Sequence, residues 1–246
     1  MKEQMHKVAE ILRKSKHTTA FTGAGISVES GIPPFRGPDG LWSKYDPKVL
    51  DLNFFYTNTD EAWAVIKELF YDFFGKAKPN AAHRVLAKLE ANGLLNSVIT
   101  QNIDNMHQAA GSKVVYEFHG TAEKMVCIDC GQKVPSASVD LAKIPPQCAK
   151  CNTGILKPDF IFFGEGIPTY AFNKSREEAN KADVFIVIGT TGEVMPASSI
   201  PIEAKRNGAT IIEINPQASN YTYSTTDIFL KGKAGEVMTA LEEIIF

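Results

Sequence analysis

The chain has 246 residues, 44% hydrophobic and 22% charged, with a formal net charge of -2. That composition suits a globular protein with one large domain and room for a smaller insert. It carries no basic run to mark a nucleic-acid or anionic-membrane partner, and its longest strongly apolar run, Val184 to Ile188, is too short to span a bilayer.

In chain order, the charged N-terminus lacks the apolar core of a signal peptide, so a cytoplasmic protein is expected. Residues 3–16 read as an amphipathic helix with Val8, Ile11 and Leu12 on one face. Thr18 to Gly23 is β-like and runs into Gly23-Ala24-Gly25. Two glycines directly after a strand let the backbone turn sharply and approach a phosphate. A dehydrogenase fingerprint would add a third glycine, a helix, and an acid ending a second strand. Here Val28 holds the third glycine position, no apolar strand precedes Asp46, and Pro33 and Pro34 oppose a regular helix. An extended or irregular loop is expected instead. It can place Phe35 against a flat ring and Arg36 against a phosphate or carboxylate.

Residues 62–74 and 79–93 predict two helices, the second closed by Asn92-Gly93. Ser97 to Thr100 predicts a strand ending at the polar group Gln101-Asn102-Ile103-Asp104. A helix through His107 and a strand over 113–120 follow. Residues 121–157 break this rhythm. They hold two C-x-x-C pairs, Cys127/Cys130 and Cys148/Cys151, separated by 17 residues. That spacing matches a closed, structural four-thiolate zinc site. A disulfide is disfavoured in a cytoplasmic chain, and the ligands alone leave iron open. Beyond an apolar segment at 158–166, helix–strand units recur to a closing helix. There is no internal repeat and no low-complexity segment.

Strands alternating with helices predict an α/β fold: a doubly wound, parallel, Rossmann-like sheet with a smaller inserted zinc-ribbon and helical module. The expected division assigns 1–36, 79–120 and 158–246 to the Rossmann-like domain. It assigns 37–78 to the helical part of the small domain and 121–157 to the zinc module. Small and amide residues end four strands, at Gly23–Gly25, Gln101–Asp104, Gly189–Thr191 and Asn215. Ligands bind at such strand ends, so a nucleotide crevice is expected there.

Seven motifs stand in this order: GAGIS, GIPPFRG, TQNID, FHG, the two C-x-x-C pairs, FFGE and GTT followed by VMPA. Over nearly the whole chain this set resembles the sirtuins, NAD-dependent protein-lysine deacylases. The resemblance implies NAD as co-substrate, a structural zinc ion and an acyl-lysine protein or peptide as partner. An acyl-lysine amide attacks the ribose carbon bearing nicotinamide, nicotinamide leaves, and the acyl group ends on ADP-ribose. By similarity His119 is the base that activates a ribose hydroxyl, which suits a side chain titrating near neutral pH. Asn102 and Asp104 surround the nicotinamide ribose and amide, Gln101 contacts ribose, and Ser27 orders the site. Ala24 and Val28 flank the pyrophosphate turn, and Phe35 and Ile103 wall the nicotinamide pocket. Gly189, Thr190, Thr191, Asn215 and Ala234 form the adenosine side. Ile161, Phe163, Gly164, Glu165 and Val194 meet the substrate, whose backbone adds as a strand between two loops. Read without the resemblance, His119, Ile103 and Phe35 are equally ordinary structural residues. His83 and His107 read as structural, and His6 and His17 as solvent-facing.

Three departures from the family pattern stand out. Pro34 replaces an Asp, Thr191 a Ser, and Gly192-Glu193 an apolar pair. Glu193 predicts a mild preference for basic residues beside the target lysine. Family members that remove succinyl groups carry a Tyr and an Arg where this chain has Lys67 and Phe70, so neutral acyl groups are expected to be preferred. A mono-ADP-ribosyltransferase on the same fold, and a non-catalytic NAD-sensing module, are the alternative readings.

Overall fold

A computed structural model of the chain describes residues 2–36, 40–73 and 77–246. Gly37, which ends the GIPPFRG motif, and Phe74, which ends the predicted 62–74 helix, lie outside the described residues.

The larger sheet has six parallel strands. They are β1 (Thr18–Thr22), β2 (Ser97–Thr100), β3 (Val115–Glu117), β7 (Val184–Ile188), β8 (Thr210–Asn215) and β9 (Ile228–Lys231). Their spatial order is β3-β2-β1-β7-β8-β9, so chain direction reverses its progression between β1 and β7. That is the topological switch point of a doubly wound sheet, and it opens a crevice at the carboxyl ends. Every residue of β1, β2 and β7 is buried, as parallel strands covered on both faces require. One face packs on α1 (Lys2–Lys14), α4 (Ala81–Ala91) and α8 (Ala234–Ile245) through a core including Val8, Leu12, Leu86 and Leu241. The other packs on α6 (Thr169–Lys181) and α7 (Ser199–Arg206) through Phe21, Phe185, Ile200 and Tyr221.

The smaller part differs from the expectation. The cysteine segment is a small ribbon, as expected, but its sheet reaches beyond 121–157: β4 (Gly120–Cys127), β5 (Lys133–Pro135) and β6 (Leu156–Phe160) form an antiparallel sheet in the order β5-β4-β6. The strand expected over 113–120 is therefore two strands. A turn at Phe118-His119 separates them, and Gly120 opens β4 at φ +74°, where a Cβ would lie 2.2 Å from the Asp159 carbonyl oxygen. The predicted border at 158 falls inside β6. The aromatic stretch forms α2 (Leu52–Thr57), α3 (Thr59–Ile66) and a π-helical continuation, Lys67–Phe73. Asp51 caps α2 by accepting the Phe54 N–H. Trp63, Phe55 and Phe70 join Met125 and Phe160 in one core, so helices and small sheet share an interior. No helix among the described residues is long and apolar enough to cross a membrane.

Candidate active site

The glycine turn after β1 packs against the end of β7. Gly23 N–H donates to the Ile188 carbonyl, and Gly25 N–H donates to the Gly189 carbonyl at 2.8 Å. A Cβ on Gly23 would lie 2.8 Å from Gly189 O, and one on Gly25 would lie 2.7 Å from Gly189 Cα. The glycines thus let two strand-end loops touch across the switch point, rather than only leaving room for a ligand. Nor is the following segment extended from the start. Ala24–Ser30 forms a 3-10 helix, closed by Gly31 at φ +87°. The prolines act only beyond it, in the irregular stretch leading to Phe35 and Arg36. Asn80 Nδ2 donates to Ile26 O at 2.7 Å and fastens this short helix to α4.

Ser27, Asn102 and Asp104 converge below the turn. Ser27 Oγ donates to Asp104 Oδ2 at 2.7 Å, while Asn102 Nδ2 donates to Gly23 O and Ser27 Oγ, both at 3.2 Å. Ser27 and Asn102 are buried. Burial raises the Asp104 pKa, and the hydrogen bonds from Ser27 and the Met106 N–H oppose that shift. Gln101 Nε2 donates to Thr190 Oγ1 at 3.1 Å, bridging the ends of β2 and β7.

His119 Nδ1 lies 3.0 Å from Gln101 O. A carbonyl oxygen only accepts, so Nδ1 carries the proton and Nε2 is left as the basic nitrogen. Among the described residues Nε2 has no hydrogen-bond partner. Burial lowers the His119 pKa, against the opposing pull of the Gln101 carbonyl. The imidazole is therefore neutral at pH 7 and fit to accept a proton. Ile161 N–H donates to the His119 carbonyl, which places the segment after β6 beside the histidine.

Phe163 is half exposed, yet its backbone N–H and C=O are already paired with Leu50 and Leu52. Gly164 and Val194 stand on the two flanking loops. Glu165 is a brace: its carboxylate accepts Lys157 Nζ at 2.9 Å and Phe162 N–H at 2.7 Å. Lys157 is buried and lies 4.1 Å from the Phe162 ring centre. Phe35 packs on Trp42 at 5.4 Å, and both Phe35 and Ile103 join the small-domain core. Arg36 Nε lies 3.5 Å from Glu193, both half exposed. Val28 is exposed, and Ala234 is buried at the start of α8. Thr191 O accepts Asn220 N–H, and Asn215 Nδ2 donates to Thr190 O at 3.1 Å.

Residue-type reasoning missed three contributors. Thr22 Oγ1 ties Thr100 and His107 together under the crevice, at 2.9 Å each. Glu29 accepts the Gly235 N–H at 2.6 Å and joins the glycine turn to α8. Glu213 lies wholly buried in β8. Its signal was a lone carboxylate inside an apolar strand.

The four cysteine sulfurs lie within 4.8 Å of one another, with Cys127–Cys151 at 3.7 Å and Cys130–Cys148 at 3.8 Å. Zn–S bonds of about 2.3 Å in a tetrahedron require S···S edges of about 3.8 Å, so the set fits a zinc ion. Backbone N–H groups of Thr153 and Gly154 pull the Cys151 thiol down to about 6, favouring the thiolate a metal needs. A Cβ on Gly154 would lie 2.4 Å from Cys127 Sγ, so glycine is required beside the cluster.

A family model described as "Sir2 family" matches residues 23–196. A relative from Pyrobaculum aerophilum, named NAD-dependent protein deacetylase 1, is 42% identical over 241 residues, covering 97% of this chain and 94% of its own. One from Archaeoglobus fulgidus, named NAD-dependent protein deacylase 2, is 42% identical, covering 99% and 96%. A solved structure described as Sir2–p53 peptide–NAD+ superposes with a TM-score of 0.90 at 36% identity, covering 97% of each chain.

Proposed function

The chain belongs to the Sir2 family, and from that premise we infer that it is an NAD-dependent protein-lysine deacetylase that transfers the acyl group to ADP-ribose and releases nicotinamide. The observation that carries the reading is His119, whose Nδ1 is held by Gln101 O while Nε2 stays open at the strand-end crevice. NAD is a substrate here, consumed in each turnover. Gly23, Ala24, Gly25 and Val28 form its pyrophosphate turn, with Arg36 at hand for the charge. Phe35, Ile103, Asn102 and Asp104 hold the nicotinamide half. Gln101, Gly189, Thr190, Thr191, Asn215 and Ala234 hold the ribose and adenosine.

The carbonyl oxygen of the acyl-lysine amide attacks the ribose carbon as its bond to nicotinamide breaks. His119 Nε2 then takes the proton of a ribose hydroxyl, whose oxygen attacks the carbon of the resulting imidate; addition of one water and return of that proton expel lysine as its amine and leave the acyl group as an ester on the ribose. The apolar walls from Phe35 and Ile103 keep water off the ribose carbon until the amide oxygen has bonded to it. Ser27 fixes Asp104 and Asn102 fixes Ser27, so their part is positioning as much as contact. The zinc ion, held by four thiolates with no open position, organises the small sheet. Reduced, metal-binding cysteines also support a cytoplasmic location.

Ile161, Phe163, Gly164, Glu165 and Val194 line the peptide groove. Phe163 contributes its side chain, since its backbone is already paired, and Glu165 holds the loop. Neutral acyl groups are favoured over succinyl on two observations. Lys67 Nζ is neutralised by Asp72 at 2.6 Å, and Phe70 is buried in the core. Neither offers a carboxylate anchor.

The test is incubation with NAD and an acyl-peptide panel, following nicotinamide and O-acyl-ADP-ribose. Both products are expected only with acyl-peptide present. Nicotinamide release independent of acyl-peptide, with ADP-ribose incorporated into protein, would point to the transferase reading instead.

A further inference from the structure

Glu213 is the least expected residue of the large sheet: a carboxylate with no exposed surface on β8. Four side chains donate to it. Oε1 accepts Asn215 Nδ2 at 3.0 Å, Ser219 Oγ at 2.6 Å and Thr222 Oγ1 at 3.0 Å. Oε2 accepts Thr222 Oγ1 at 2.9 Å and Thr226 Oγ1 at 2.7 Å.

The consequence falls on Asn215, which ends the same strand. Its amide nitrogen carries two hydrogens, and both are spoken for: one on Glu213 Oε1, the other on Thr190 O at 3.1 Å. Turning the amide over would set its carbonyl oxygen against a carboxylate and a carbonyl, acceptor against acceptor. Glu213 therefore permits one orientation only. Asn215 Oδ1 is left without a partner among the described residues, and it is not one of the side-chain atoms sealed from solvent.

The same carboxylate holds the loop after β8. Asn220 N–H from that loop bonds Thr191 O, and the Tyr221 ring sits where a Cβ on Gly192 would meet it at 2.7 Å. Strand end and loop are thus set by one buried group.

We propose that Glu213 is a positioning residue that locks the Asn215 amide so that a bare acceptor faces the crevice and selects a nucleotide by a hydroxyl of its adenosine ribose. A free hydroxyl donates to that acceptor, whereas a hydrogen or a phosphate ester in its place does not. The inference rests on the NAD-binding reading above.

Calorimetry with ADP-ribose and with its 2′-deoxy and 3′-deoxy adenosine-ribose analogues tests it without relying on turnover. The unsubstituted protein should bind one analogue about fivefold more weakly than ADP-ribose, as the loss of one hydrogen bond implies. In Glu213→Leu, which offers Asn215 no acceptor, that ratio should fall to near one. Thr226→Val removes another donor to the same carboxylate without touching Asn215, and should keep the ratio. An unchanged ratio in Glu213→Leu, or an equal fall in Thr226→Val, would overturn the proposal. Should Glu213→Leu not fold, the Asn215 side-chain amide protons of the unsubstituted protein decide. Slow exchange with solvent in the ligand-free state supports the lock, and rapid exchange overturns it. If the unsubstituted protein binds no ADP-ribose at all, the nucleotide reading itself fails, which differs from binding all three ligands alike.

Discussion

At the scale of single residues, His119 shows how a tautomer creates a base. The Gln101 carbonyl accepts the Nδ1–H, and burial favours the neutral ring. Because burial lowers its pKa, the acid limb of the kcat/KM profile should lie below the ordinary histidine value of about 6.5. A limb at 7 or above would contradict that assignment. His119→Ala should cost about 100- to 10,000-fold in turnover while ADP-ribose still binds; near-normal turnover would remove it from the base role. Glu193 is less free than its charge suggests, because Arg36 lies 3.5 Å away. An exposed pair of this kind contributes little, so basic residues flanking the target lysine should still raise kcat/KM about twofold. Equal values with acidic and basic flanks would show that Glu193 does not reach the peptide. In both cases residue identity was legible in the sequence, but the partner that sets its chemistry was not. Gln101 and His119 stand 18 positions apart and meet only when β2 and β3 align.

At the scale of elements, α4 couples stability to pH. Asn80 and His83 form a reciprocal cap: Asn80 Oδ1 accepts the Ala82 N–H, and His83 Nδ1 accepts the Asn80 N–H. Burial lowers the His83 pKa to about 4. A histidine with a depressed folded pKa takes up its proton preferentially in the unfolded chain. Stability is therefore lost as pH falls from about 6.5 toward 4, by on the order of 3 kcal/mol. His107 faces it at 4.9 Å and is shifted the same way. His83→Gln keeps the cap and removes the titration, so its thermal midpoint should fall less between pH 7 and pH 5. Parallel pH curves for the two proteins would count against this. The glycine turn makes a steric prediction. Gly25→Ala should destabilise by about 1–3 kcal/mol, because its Cβ meets the Gly189 backbone. A denaturant midpoint equal to that of the unsubstituted protein would refute it. Helices and buried strands were legible because their periodicity is local. The cysteine spacing announced a zinc ribbon but not its strand pairing, since its short, half-exposed strands pair residues far apart in sequence and carry little pattern of their own.

At the scale of the molecule, one sheet supplies a rigid crevice and the insert supplies its far wall. Zinc is the insert's internal support, so chelation at neutral pH should lower the melting temperature and abolish turnover, with both restored by added zinc. Persistence of activity in metal-free protein would separate the module from the site. Motif order and cysteine spacing by themselves determined the fold class, the nucleotide crevice, the metal set and the family, because each depends on residue type at a fixed chain distance. Only the tertiary structure decided which groups face which. It showed that the turn glycines serve loop contact, that Glu165 braces its own loop, that Lys67 is paired with Asp72, and that Glu213 accepts the Asn215 amide. Those pairings depend on strand register across the switch point and on burial. Hydrogen-bond direction and pKa follow from neighbours that the chain brings together only on folding.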